Sequence, residues 1–498
     1  MKADVLISKI IKYLYLILMV SCILLCIFPE SVDLGDRGYS GHANLAFLFC
    51  GVVLLTSLGL IYNRSAEKSH IHLPLVFKGQ FSLVCSSVIM LVFLIIATHF
   101  YYFETGWDAG TVIWNAEFLA DGRISELNND YYSIYPNNVL MTVLFSVIIK
   151  LGRLLPVGTD YYILVAFQCI CMVVSSFVIY ATAIALSFTE RQAHLVRCIF
   201  ILFAGLSPWV VIPYSDTIGM FFMVLILYLY AKNRFPLVMG ILIIAGSMIK
   251  PTVFIFAIAL VITGVINRWG KKRDKKTNTN IVLFIIGCVL GYLIAKSAVS
   301  FSGFELNPEK SMSPAHYLMM GLNEDYHGVI NVVDQDFSLG IDDSGERIRA
   351  DLDVAWSRFR DMWPGRFFRH LLRKALYSCG DGTFAWGVEG EFFQYPVWTG
   401  NERAEALFRS FYYPDGSRYA VYTGFEQMMW LGLIFFSILC ALLNNNKRLL
   451  VLYLTVIGMI MFEMIFEPRA RHLLLLVPII CILATGGIVS LSGRLKRN

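Results

Sequence analysis

Charge is what this chain is short of. Asp, Glu, Lys and Arg supply 15% of its 498 residues, against about a quarter in soluble proteins. With 57% hydrophobic residues and a mean hydropathy of +0.64, that excludes a soluble globular enzyme. The net charge is only +5. Its Lys and Arg residues cluster in short connections between apolar runs, which is a membrane-topology pattern and not a nucleic-acid-binding surface. Cysteine chemistry is missing too. There is no CxxC pair and no Cys/His cluster, and every cysteine but Cys379 lies in or beside an apolar run. Both a disulfide framework and a structural zinc site are thereby disfavoured. The first apolar run, Ile7 to Phe28, lacks a small-residue cleavage site and reads as an uncleaved span rather than a signal peptide. No internal repeat and no low-complexity tract is present.

What the chain has is apolar length. Runs long enough to span a bilayer cover 7–28, 45–62, 80–100, 161–188, 197–214, 216–231, 280–300, 425–443, 448–466 and 473–490. Shorter pieces cover 139–155, 237–249 and 252–266. The expected fold is an α-helical polytopic membrane protein with about 11–13 transmembrane or half-membrane helices. It divides into an N-terminal membrane module (1–300, with a first outer loop at 101–138), a large outer loop (301–424) and C-terminal membrane helices (425–498).

The basic connections are AKNR (231–234), KKRDKK (271–276), NNNKR (444–448), the tail GRLKRN (493–498) and TERQAHLVR (189–197). The positive-inside rule puts them in the cytoplasm. The loop after residue 100, PYSDT (213–217), EPRARH (467–472) and 301–424 then lie outside. Segment 139–155 fits that parity as a half-inserted or interfacial helix on the outer face, although Lys150 and Arg153 would suit a cytoplasmic end. The turn IKPT (249–252) falls at membrane depth or at the floor of a cavity. Within the outer loop, 347–376 repeats Leu352, Ala355, Phe359 and Met362 at helical spacing. It reads either as helices on the membrane surface or as a small cap packed on the spans.

Five polar groups converge on the outer face under this topology: Asp108 in GWDAG, the stretch DYYSIYPNN (130–138), Asp216 in PYSDT, Lys250, and Glu467, Arg469 and Arg471 in EPRARH. Each has a plainer explanation. Asp108 could be a solvated end residue and Asp216 a helix cap. Lys250 could snorkel, although ionisable groups at membrane depth are usually functional. EPRARH could hold an internal ion pair. Taken together, two carboxylates could serve as a base and an acceptor-orienting group. Lysine and arginine near membrane depth could grip a lipid's phosphate. Trp107, Trp114, Tyr131, Tyr132 and Tyr135 suit the apolar faces of sugars.

On GWDAG, YSIYPNN, PYSDT, MIKPT, HYLMMGLNEDYHGVINVVDQD (316–336), GDGTFAW (380–386) and EPRARHLLLLVP (467–478), in that order, the chain resembles GT-C superfamily membrane glycosyltransferases. That class includes protein O-mannosyltransferases and lipid A aminoarabinose transferases; the nearest likeness is to bacterial members of Gram-positive cell-wall polysaccharide clusters. The resemblance implies a polyprenyl-phosphate sugar donor, a cell-wall glycan or teichoic-type acceptor, inversion at the sugar carbon, and a site on the extracytoplasmic side of a bacterial cell membrane. It makes Asp108 the catalytic base and Asp216 the second acidic position. Lys250, Arg469 and Arg471 become the phosphate contacts, and Trp107, Tyr135, Asn137, Asn138, His316, Asp381 and Glu467 the substrate contacts. Two features depart from the pattern. His472 follows Arg471 where an aromatic is usual, and no acidic-x-acidic pair accompanies Asp216, which disfavours a divalent cation. No cofactor is otherwise implied. A transporter or flippase for lipid-linked saccharides, or a polymerase, stays open as the alternative.

Overall fold

The computed structural model describes residues 2–32, 41–64, 79–155, 158–268, 275–388, 393 and 395–495. Residues 271–274 of KKRDKK and 496–498 of the tail lie outside the described residues. Among those described, ten helices are long and apolar enough to cross a bilayer. The chain is a polytopic α-helical membrane protein.

The first three helices are α1 (Lys2–Ile27), α2 (Gly41–Arg64) and α3 (Gly79–Tyr101). A run of shorter helices follows: α4 (Trp107–Asp121), α5 (Asn129–Ile134) and α6 (Val139–Gly152). Next come α7 (Asp160–Ala185), α8 (Glu190–Phe200) and α9 (Ser215–Lys232), then α10 (Pro236–Ile249), α11 (Phe254–Arg268) and α12 (Lys275–Ser300). The loop region holds α13 (Pro314–Gly321), α14 (Val332–Leu339), α15 (Ser344–Met362), α16 (Gly365–Cys379) and α17 (Glu402–Tyr412). The chain closes on α18 (Tyr419–Leu443), α19 (Leu450–Ile465) and α20 (Val477–Leu495).

Two ends of the bundle are fixed by side chains that satisfy helix-terminal backbone groups. At one end the Arg448 guanidinium donates to the carbonyl of Ala185 (2.8 Å) and to that of Ala231, the last turns of α7 and α9. Terminal carbonyls lack intrahelical partners, and a cation suits the negative end of the helix dipole. At the other end, Tyr161 donates to the Val211 carbonyl (3.0 Å) and Gln168 to that of Ile212 (2.6 Å), tying the start of α7 to the stretch before α9.

Helix α6 begins and finishes at this second end. Its 14 residues rise only about 21 Å. Arg153, just past its C-terminus, pairs with Asp121 at the end of α4 (2.6 Å) and with Asp160 at the start of α7 (2.5 Å). These partners account for a basic residue that, by charge alone, suited the opposite end.

Two apolar runs differ from expectation. Segment 197–214 is not one spanning helix: α8 passes into a π-helical turn at Ile201–Gly205 and then a 3-10 turn at Pro208–Val211. Pro208 excludes helical geometry at Ser207, which is extended with ψ 138°. Segment 252–266 is longer than it reads, because Pro251 opens an 18-residue helical stretch to Arg268. Proline suits a first helical position and forces the residue before it out of the helix. Lys250 is accordingly extended (φ −137°, ψ 103°), which separates α10 from α11.

The long polar stretch folds as a cap. α15 buries Ala355 and Met362 against Met319 and Leu322, with Phe359 partly covered. Leu352 stays exposed. α16 buries Ala375 and Leu376 against Leu25, Val32 and Leu431 of the bundle. A two-residue ribbon joins β1 (Phe103–Glu104) to β2 (Tyr395–Pro396), with Phe103 opposite Pro396.

Candidate active site

The tight turn before α4 sets the position of Asp108. Gly110 folds so closely over it that a Cβ there would meet the Thr105 carbonyl oxygen at 2.5 Å. Trp107 takes a left-handed backbone (φ 45°), uncommon for a bulky residue and frequent at functional positions. Its indole N–H donates to Thr105 Oγ1 at 2.8 Å. Asp108 then falls in the first turn of α4, where the helix dipole favours a carboxylate.

A chain of hydroxyls and amides orients that carboxylate. Tyr131 donates to Asp108 Oδ1 at 2.9 Å, and Asn138 Nδ2 donates to the Tyr131 oxygen at 2.7 Å. Asn137 Nδ2 (3.1 Å) and the Tyr214 hydroxyl (3.5 Å) both donate to Asn138 Oδ1. Burial, helped by Tyr214 and Asp108, pushes the Tyr131 hydroxyl well above its ordinary range, so it remains a donor. Burial likewise pushes Tyr135 up to about 12; its oxygen accepts from Gln335 Nε2 of the cap at 3.1 Å.

The cations gather around Trp107, Tyr214 and Asp216. The Arg471 guanidinium sits 4.6 Å above the Trp107 ring and 5.5 Å from that of Tyr214. The two rings meet edge to face at 5.1 Å. Arg471 also pairs with Asp216 Oδ2 (3.3 Å), while the Lys250 ammonium pairs with Asp216 Oδ1. Asp216 and Lys250 are buried, at 2% and 4% exposure. Gly219, one turn on from Asp216, gives the lysine its path: a Cβ there would meet Lys250 Cδ at 2.7 Å. Asp216 therefore serves as the counter-ion of two cations, and its position is less suited to taking a proton from an acceptor.

EPRARH is held by a carboxylate that sequence reading passed over. Glu463, fully buried near the end of α19, accepts from the Arg469 backbone N–H (2.7 Å) and from Ser378 Oγ (3.2 Å) on one oxygen, and faces His472 Nδ1 (3.0 Å) on the other. Glu467 accepts from Arg469 Nε (2.7 Å) and from the Ile330 backbone N–H (3.2 Å). Lys374 of α16 donates to the carbonyls of Gly321 (2.7 Å) and Phe466 (2.5 Å), so the cap grips the same loop. An acidic residue inside an apolar run is expensive, and that signal was visible at Glu463. Tyr131, Tyr214 and Lys374 carried no comparable signal.

Two expected contacts are hydrogen-bonded within their own segments. His316 is buried in the cap, its Nδ1 2.7 Å from Ser338 Oγ, which in turn donates to Asp351 (2.8 Å). Asp381 accepts from the backbone N–H groups of Thr383 (2.8 Å) and Ala385 (2.9 Å) and from the Thr383 hydroxyl. It caps its own turn, the ordinary use of an aspartate there. Among the described residues, no group of three or more His, Cys, Asp and Glu is placed to hold a metal ion.

Fold and site together define a multi-pass membrane protein with a charged, aromatic-walled site at one end of its helix bundle. Residues 5–489 match the family described as "conserved hypothetical integral membrane protein", and the chain belongs to that family. No curated protein and no solved structure matches it.

Proposed function

We propose that the protein is a glycosyltransferase that moves a sugar from a polyprenyl-phosphate donor to an acceptor hydroxyl on the extracytoplasmic side of a bacterial membrane. The acceptor class is a cell-wall glycan or teichoic-type polymer. One observation carries the reading: Arg471 stacks over Trp107, and the next residue, Asp108, presents a partly exposed carboxylate held by Tyr131. A base and a cation thus meet at neighbouring positions of one turn, the cation over the Trp107 ring and the base on the next residue.

In this reaction the acceptor oxygen bonds to the anomeric carbon as the bond from that carbon to the phosphate oxygen breaks. The electron pair leaves with the polyprenyl phosphate, and the acceptor proton passes to Asp108. Arg471 and Arg469 meet the charge that grows on the phosphate, where a planar guanidinium can donate twice. Asp216 fixes Arg471 and Lys250 in place. Trp107 and Tyr135 offer faces to the sugar. One displacement inverts the sugar carbon.

Purified protein supplied with polyprenyl-phosphate sugars should release polyprenyl phosphate, and Asp108→Asn should slow that release by about a hundredfold to ten-thousandfold, the range for loss of a general base. Undiminished turnover in the variant removes Asp108 from the mechanism. No release with any donor, joined to movement of lipid-linked saccharide across vesicles, would replace the enzyme by a transporter.

A further inference from the structure

The end of the bundle opposite Asp108 holds a second polar feature. A cavity of about 390 Å³ lies against α3, α8 and the π-helical turn Ile201–Gly205. Its walls are mainly apolar and include Ile89, Met90, Phe93, Leu202 and Leu206. Ile89 and Phe93 are 62% and 43% exposed, so the cavity opens sideways, toward the hydrocarbon of a surrounding bilayer. π-helical turns are frequent at functional positions.

Two buried side chains, a guanidinium and an imidazole, close its polar edge. Arg197 (5% exposed) donates to Ser86 Oγ at 2.7 Å and to Ser87 Oγ at 2.9 Å. Among the described residues, its Nε is buried with no hydrogen-bond partner and no acidic side chain pairs with it. His194 (8% exposed) lies 4.8 Å from the Tyr180 ring, and its Nε2 also lacks a partner. A guanidinium buried without a counter-ion is costly, and among the described residues its side-chain partners are two neutral serine hydroxyls. Ser86 lies seven residues into α3 (Gly79–Tyr101), near one end of that helix.

We propose that this groove is a binding site for an anionic lipid. Arg197 and His194 ligate the phosphate, and a hydrocarbon chain lies along Ile89, Met90, Phe93 and Leu206. The site is separate from the sugar-transfer reading and does not depend on it. The phosphate could come from a bilayer phospholipid or from a polyprenyl phosphate; the chemistry at Arg197 is the same.

The full-length protein in neutral detergent, given phosphatidylglycerol or phosphatidylcholine and weighed by native mass spectrometry, should retain one phosphatidylglycerol under conditions that strip phosphatidylcholine. Arg197→Gln should lower relative affinity for phosphatidylglycerol about tenfold, the loss of one charge-assisted contact. Ile89→Trp, which narrows the groove from its exposed side without entering the core, should lower it too, and covers the case in which the arginine variant misfolds. Asp108→Asn should leave lipid retention unchanged. Displacement by added polyprenyl phosphate would identify that lipid as the preferred ligand, and persistence would identify the phospholipid; either upholds an anionic-lipid site. Equal retention of the two headgroups by the wild type, or unchanged retention in both groove variants, would overturn it.

Discussion

Lys250→Met tests the charge arrangement beneath the site. Lys250 and Asp216 are 4% and 2% exposed, so solvent screens their attraction little. Removing one member of a buried pair strands the other and costs about 3–5 kcal/mol. Arg471 remains 3.3 Å from Asp216 in this variant, which places the loss near 3 kcal/mol, the lower limit of that range. Asp216→Asn is the harsher change, because it leaves Lys250 and Arg471 facing each other without an anion; a loss near 5 kcal/mol follows. The double variant should cost less than the sum by about 2 kcal/mol or more, as for groups in one network. The assay is unfolding free energy in mixed micelles titrated with a denaturing detergent, for the wild type, both single variants and the double. Additivity within about 0.5 kcal/mol, or a Lys250→Met cost below about 1 kcal/mol as for a surface pair, would refute the reasoning.

Three further outcomes are expected. Tyr131→Phe removes the donor to Asp108 and should lower kcat for sugar transfer about tenfold with KM for the donor little changed; steady-state kinetics would refute it by showing the loss in KM alone. Asp381→Ala removes a turn cap and should cost about 1–2 kcal/mol of stability while folded molecules keep full turnover; loss of turnover without loss of stability would return Asp381 to the site. Burial lowers the Lys374 ammonium to about 7, against the opposing pull of Glu463 and Glu467. Between that value and its ordinary 10.5, the unfolded chain holds the proton and the folded chain does not, so stability should rise with pH across this window and lose that contribution below about 7. Hydrogen exchange of α16 at the two ends of the window checks it, and Lys374→Met should flatten the slope.

Much of the fold was legible because bilayer hydrocarbon imposes length. The runs at 7–28, 80–100, 280–300 and 425–443 all became helices of spanning length, since unbroken apolar sequence can satisfy its backbone only within itself. Boundaries failed where proline acted: Pro208 broke an apparent span and Pro251 started one earlier than expected. The site was partly legible. Asp108, Asp216, Lys250 and Arg471 were noticed as charged residues beside apolar runs, and they do gather around Trp107 and Tyr214. His316 and Asp381 were carried over on resemblance alone, and each is engaged in its own segment. Tyr131 was noticed only as an aromatic, because nothing in DYYSIYPNN says which of its tyrosines turns toward Asp108.

Composition and periodicity alone determined that this chain crosses a membrane many times and, 197–214 and 252–266 apart, which of its segments do so. Those properties follow from transfer of side chains out of water, a local quantity summed along the chain. Only the tertiary structure decided that Asp216 is shared by Lys250 and Arg471, that Glu463 holds the arginine loop, and that Arg197 meets Ser86 and Ser87 at the edge of a groove. Each of these depends on which helix packs beside which. Ion pairing acts over a few ångströms, between residues that can stand hundreds of positions apart in the chain.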